Sequence, residues 1–138
     1  MAMQHTPLLM ANILDRGAKV APNEEIVTAT GDGVRKQSYL ETRNRSHQLA
    51  HALRDSGIEV GDRIGTFMWN GSRHLEAYHA CAGMGAVLHT LNIRLSDRDL
   101  EYIIGHAQDK AIIVDADALP LLEPVSYTHL TLPTIYSV

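Results

Sequence analysis

The sequence predicts an α/β fold with a parallel sheet built from βαβ units, preceded by an early β-hairpin. Three observations carry that prediction. From Arg63 onward, short apolar runs alternate with longer stretches of helical periodicity, the pattern of strands joined by crossover helices. Ser38 and Ser96 each stand three residues before an acidic side chain, a start signal for a helix. Two strand-like segments flank Gly31-Asp32-Gly33, residues that accept the positive φ angles of a tight turn.

Taken in order, Thr6-Pro7 predicts a helix start, a hydroxyl N-cap followed by a proline whose missing N–H does no harm there. Leu8, Leu9, Ile13 and Leu14 follow, and Gly17 is placed to end that helix. Glu25–Thr30 and Val34–Gln37 are the hairpin strands. The Ser38/Glu41 capping box opens a helix to about Ser56, with Leu49, Ala50 and Leu53 on its buried side and Gly57 closing it. Ile58–Asp62 connects to a largely buried strand, Arg63–Trp69. Ser72 then begins a helix through about Gly83, Ala86–Leu91 reads as a second core strand, and Ser96 with Asp99 caps a helix to about Ala107. Ala111–Asp115 is a third strand.

Composition bounds the class. A chain of 138 residues holds one domain with a hydrophobic core, and 45% hydrophobic with 20% charged residues reads as globular rather than disordered. A net charge of −4 supplies no basic face for nucleic acid. Arg43, Arg45 and Arg54 recur along one stretch, diluted by Glu41 and Asp55, and read as a solvated helix face. Cys81 is the single cysteine, so no intrachain disulfide forms and a reducing, cytoplasmic compartment fits. No secretory signal follows Met1, and no apolar segment approaches the roughly 20 residues that cross a bilayer. Peripheral membrane contact stays compatible with the sequence.

The stretch Asp62–Leu95, DRIGTFMWNGSRHLEAYHACAGMGAVLHTLNIRL, closely resembles the corresponding part of medium- and long-chain fatty-acid–CoA ligases, members of the adenylate-forming superfamily. QSYLETRNRSHQLAHAL at Gln37–Leu53 resembles the family's early TYxEl segment, and RLSDRDLEYIIGHAQDKAIIVD at Arg94–Asp115 matches as well. The likeness spans Thr6 to Pro124. It implies the N-terminal part of the large domain of such an enzyme. The implied reaction has two steps: a fatty acid carboxylate attacks the α-phosphate of ATP to give an acyl-adenylate and pyrophosphate, and coenzyme A thiol then displaces AMP. Mg2+ would shield the phosphates. The family's phosphate loop of the type TSGTTGxPKG, its ribose-binding aspartate, its hinge and its catalytic lysine have no counterpart among these residues, so no catalytic residue is carried over and the chain alone is expected to be inactive.

After Pro124 the sequence changes character. Val125–Thr134, VSYTHLTLPT, back-translates as GTC TCT TAT ACA CAT CTG ACG CTG CCG ACG, matching the transposase adapter of short-read sequencing libraries. The adapter continues with A, a variable index and GTG TAG, which accounts for Ile135, Tyr136, Ser137 and the final Val138. Residues 1–124 are therefore expected to be a partial AMP-binding domain and 125–138 a non-native tail. The competing expectation is a native strand, given the β propensity of Tyr127, Thr128, Leu130 and Leu132.

Gly83-Met84-Gly85-Ala86 lacks a third glycine and leads from helix to strand, so it reads as close helix–strand packing rather than a nucleotide turn. His47 and His51 have the spacing of a metal pair but no acidic third ligand, and read as exposed; His74 and His79, five apart, share no face. Cys81 and His79 point apart on a helix, leaving Cys81 as a small core residue. His89, Asn92 and Arg94 end a strand, where α/β proteins place their sites, and are the candidates for lining the intact enzyme's pocket; the alternative is that they cap the strand end and orient the next helix. The segment Leu8–Arg16 is expected either to make a homodimer contact or to pack on its own domain. Two further readings remain: a small non-catalytic binding module derived from a synthetase, and a fragment of an aryl- or amino-acid-activating ligase.

Overall fold

Strand β3 (Arg63–Phe67) reads RIGTF, and every residue after Arg63 is buried. Burial on both faces requires hydrogen-bonding partners on both edges and a helical layer above and below. Both are present. β3 pairs in parallel with β4 (Val87–Thr90), Ile64 facing Leu88, and with β5 (Ala111–Val114), Ile64 facing Ala111. The computed structural model describes residues 7–129 and 135–137, with side chains from 7 to 125. Within those residues β6 (Ile135–Ser137) adds to β5 in parallel, giving the order β4-β3-β5-β6.

Side chains alternate across this sheet. Ile64, Ala111 and Ile113 join Leu53 of α2 (Tyr39–Asp55) and Ala77, Cys81 and Met84 of α3 (Ser72–Met84) on one face. Phe67, Ile112 and Val114 join Leu100 and Ile104 of α4 (Asp97–Ala107) and Leu122 and Val125 of α5 (Leu119–His129) on the other. The result is a three-layer α/β/α body, as the alternation of strands and helices predicts. β1 (Glu25–Thr30) and β2 (Gly33–Ser38) form the separate antiparallel hairpin, with Thr30 facing Gly33 at its tip.

Local signals explain the helix ends. Ser38 Oγ accepts from Glu41 N at 3.1 Å, and Ser96 Oγ accepts from Asp99 N at 3.3 Å while donating to Asp99 Oδ2 at 2.7 Å. Gly85 terminates α3 in the left-handed region, φ 82°, and a Cβ there would come 3.2 Å from Val60. The Gly83–Ala86 turn is thus a packing turn between helix and strand. Cys81 is fully buried in the core, and burial pushes its thiol up to about 12.

Several expectations are corrected. The first helix, α1 (Met10–Val20), begins after Leu9, with the Asn12 amide donating to Pro7 O at 2.8 Å; Thr6 lies outside the described residues. Gly17 does not end it. A Cβ at Gly17 would stand 3.2 Å from the Tyr39 ring, so this glycine lets α1 approach the start of α2. β4 is an edge strand, none of its residues fully buried and Val87 about half exposed; the burial expected of it falls on the flanking Ala86 and Leu91. Arg43 and Arg45 are paired rather than merely solvated, Arg43 Nε with Asp15 Oδ1 and Arg45 Nε with Glu76 Oε1, each at 2.6 Å. Val125–His129 continues helix α5 rather than forming a strand, and Pro124 lies inside that helix. The remainder of the expected strand, Leu130–Thr134, lies outside the described residues.

Gly65 tests the packing directly. A Cβ on it would meet Asp109 Oδ2 and Ile112 Cγ1 at 3.2 Å and Leu91 Cδ1 at 3.3 Å, three neighbours on one side of the central strand. Gly65→Ala is expected to destabilise the chain by about 1–3 kcal/mol, the range for overfilling a packed core. The midpoint of urea unfolding, with unchanged slope, is the measurement.

Candidate functional site

In an open parallel sheet, ligand sites form outside the carboxyl ends of the strands. Here that edge is built by the turn after β3, the end of β5 and the hairpin. Trp69 N donates to Asp115 Oδ2 at 2.8 Å, tying the exits of β3 and β5 together. Ser72 N, at the first turn of α3, donates to Thr28 Oγ1 of the hairpin at 3.0 Å. Between these ties lies an open cleft of about 570 Å3, with Thr28 and Arg35 on the hairpin side and Trp69, Ser72, His74 and Asp115 on the body side.

A second cleft, of about 480 Å3, adjoins it, lined by Trp69, His74, Tyr78, Asn92 and Arg94 among others. His74 lines both. Its Nε2 lies 3.0 Å from Thr66 Oγ1 of β3, and its ring sits 5.1 Å from that of Tyr78, tilted by 48°. Burial pushes the His74 imidazole below the ordinary histidine range, against the pull of the Asp115 carboxylate. A neutral ring is the form that folding favours.

Of the three residues singled out in the sequence, the structure brings two together. Asn92 and Arg94 both line the second cleft, and Arg94 N donates to Asn92 Oδ1 at 3.0 Å, a local turn bond. His89 lies elsewhere. Its Nδ1 faces Asp109 at 2.8 and 3.1 Å, and the carboxylate of Asp109 closes over Gly65 on the α4 side of the sheet. Burial raises the Asp109 carboxyl, and the adjacent His89 offsets part of that rise. Sequence reasoning missed His74, Ser72, Thr28, Arg35 and Asp115 as cleft residues. The signal for His74 and Asp115 was their position just beyond β3 and at the end of β5. Thr28 and Arg35 join only because the hairpin folds across the sheet edge.

Among the described residues no group of three or more His, Cys, Asp or Glu side chains is arranged to hold a metal ion. His47 stands exposed, its Nε2 3.8 Å from Asp15 Oδ1. No described helix is long and apolar enough to cross a membrane. What the arrangement offers is a polar, open edge with hydrogen-bonding side chains from several elements.

A hairpin-flanked parallel α/β/α unit with clefts at its carboxyl edge defines a class, and comparison with known proteins places the chain within it. The sequence profile of the AMP-binding enzyme family matches residues 14–136, and the chain belongs to that family. It is 42% identical to the long-chain-fatty-acid–CoA ligase of Thermus thermophilus over 89% of this chain and 23% of that protein. It is 40% identical to the 3-methylmercaptopropionyl-CoA ligase of Ruegeria lacuscaerulensis over the same shares. The fold matches the coronafacic acid ligase of Pectobacterium brasiliense with a TM-score of 0.85 at 22% identity, covering 95% of this chain and 26% of that one. The chain thus spans about a quarter of the length of these relatives. The family match continues past Pro124, farther than the resemblance read from the sequence.

The His74 environment gives a pH dependence with a definite sign. Burial also lowers His79, chiefly by desolvation. A histidine lowered in the folded state contributes stability that is fully present above its unfolded pKa, about 6.5, and is lost as pH falls through the folded value. Urea stability is therefore expected to decline as pH falls below that point, and His74→Gln is expected to shrink the decline. In the NMR titration of the ring protons, His74 and His79 are expected to titrate below the histidine reference value.

Proposed function

We propose that the chain is the N-terminal part of an ATP-dependent acid–thiol ligase that converts a fatty acid to its acyl-adenylate and then to acyl-CoA, releasing pyrophosphate and AMP. The observation that carries this reading is the 42% identity to a long-chain-fatty-acid–CoA ligase across nearly the whole chain. ATP, Mg2+, coenzyme A and the fatty acid are the partners of the full-length enzyme in this reading. His74, Asn92 and Arg94 contribute to a surface of its substrate region, and the exposed Leu8, Met10 and Ile13 of the N-terminal segment offer an apolar face for a homodimer. The cytoplasm is the proposed compartment, with peripheral membrane contact open to the full-length protein.

The chain by itself is proposed to be inactive, because the Ser/Thr/Gly-rich phosphate loop that the family's chemistry requires is absent from its sequence. Val125–Val138 is proposed to be adapter-derived, a reading supported by the run VSYTHLTLPT at Val125–Thr134, which one choice of codons renders as the adapter. The family match through residue 136 and the passage of α5 across Pro124 stand against it. Reading the source genome past codon 124 decides the matter. A frame that departs from Val125–Val138 and continues into a Ser/Thr/Gly-rich loop supports both proposals, and native codons for Val125–Val138 overturn the second.

A specific observation favours a second substrate reading. The 40% identity to a 3-methylmercaptopropionyl-CoA ligase is nearly as high, so a short thioether acid is the alternative to a fatty acid. Incubation of the purified chain with ATP, Mg2+, coenzyme A and either acid is expected to yield no thioester above a heat-killed control. The full-length enzyme is expected to prefer octanoate or palmitate to 3-methylmercaptopropionate, and the reverse preference selects the alternative.

A further inference from the structure

The hairpin that walls the larger cleft has almost no apolar anchor. Every residue of β1 is exposed or half-buried, and in β2 Gln37 is the one buried residue. Val27 and Val34 are both more than half exposed. An isolated two-stranded hairpin is at best marginally stable in water, so something must fasten it to the body.

The fastening is polar and converges on Glu76, a helix α3 residue whose side chain is only 4% exposed. Glu76 Oε1 accepts from Gln37 Nε2 at 2.7 Å and from Arg45 Nε at 2.6 Å. Gln37 Nε2 also donates to Thr42 Oγ1 at 2.9 Å, and Thr42 Oγ1 donates to Ser38 O at 2.9 Å. One carboxylate therefore joins β2, α2 and α3. The Glu76 carboxylate in turn holds the Arg45 guanidinium above its ordinary range. A second tie, Ser72 N to Thr28 Oγ1, lies at the cleft itself.

We infer that Glu76 is a positioning residue: its bonds to Gln37 and Arg45 hold the hairpin across the carboxyl edge of the sheet, and so set the cleft wall that Thr28 and Arg35 form. Without that clasp the hairpin opens while the α/β/α body, whose core lies between the sheet and its helices, stays folded. Nothing in this inference depends on which acid the full-length enzyme activates. It concerns the shape of the cleft, whatever occupies it.

Trypsin reads the opening directly, because Arg35 and Lys36 lie within β2 and cleavage there requires local unfolding. In the full 138-residue chain, Glu76→Leu is expected to speed cleavage after Arg35 or Lys36 by about tenfold or more, the loss of two bonds to a buried charged acceptor. Cleavage after Arg63, the first residue of β3, and after Lys110, the residue before β5, is expected to keep its wild-type rate. Glu76→Gln retains the acceptor oxygen and is expected to give a smaller gain. Gln37→Leu, which leaves the Glu76–Arg45 pair in place, is expected to show the same selective opening. If Glu76→Leu unfolds the whole chain, the two milder variants decide. Unchanged hairpin cleavage in them, or cleavage rising equally at all four sites, overturns the inference.

Discussion

Parallel pairing of β3 on both of its edges is the constraint on which the other elements depend. A strand buried on both faces must satisfy its backbone through neighbours in the sheet, and β4 and β5 do so in matching register, Ile64 against Leu88 and Ala111. Its side chains then divide the core. Ile64 belongs to the α2/α3 layer and Phe67 to the α4/α5 layer, and full burial of side chains of this size contributes about 1.5–3 kcal/mol each. Gly65 between them leaves room for the Asp109 carboxylate that meets His89. Without β3, β4 and β5 lose the strand that joins them, and each helical layer loses a central contact.

The polar ties follow from that arrangement. Parallel strands all exit at one edge, and the turns leaving them must be stitched to each other. Asp115 accepts from Trp69 N, and Thr28 accepts from Ser72 N. The clefts lie beside these stitches, and His74 lines both of them. The body is thus held mainly by apolar burial and the carboxyl edge mainly by hydrogen bonds. Different physical forces secure the scaffold and the site.

Much of the scaffold was legible in the sequence because its signals are local. Ser38 and Ser96 cap the helices they precede, and the continuous apolar run Ile112–Val114 forms a buried strand. The misreadings came where a local signal has two physical causes. Glycine ends helices, but Gly17 is a contact point for Tyr39. Val87 and Leu88 read as a core strand because apolar sequence does not reveal which strand lies at the edge of a sheet. Arg45 read as solvated because its partner Glu76 is 31 residues away. The site was less legible still. His89 and Asn92, three apart around a strand end, turn to different surroundings, and the cleft wall formed by Arg35 depends on tertiary docking that no spacing encodes.

Native-state hydrogen exchange of the backbone amides tests most directly whether β3 organises the chain and the hairpin is an appended element. Amides of Ile64–Phe67 and Ile112–Val114 are expected to exchange slowest, with one common opening free energy equal to that of global unfolding. Amides of the β1–β2 ladder are expected to open at a distinctly lower free energy. Hairpin amides protected as strongly as those of β3, or β3 amides exchanging at hairpin rates, would contradict this division of the fold.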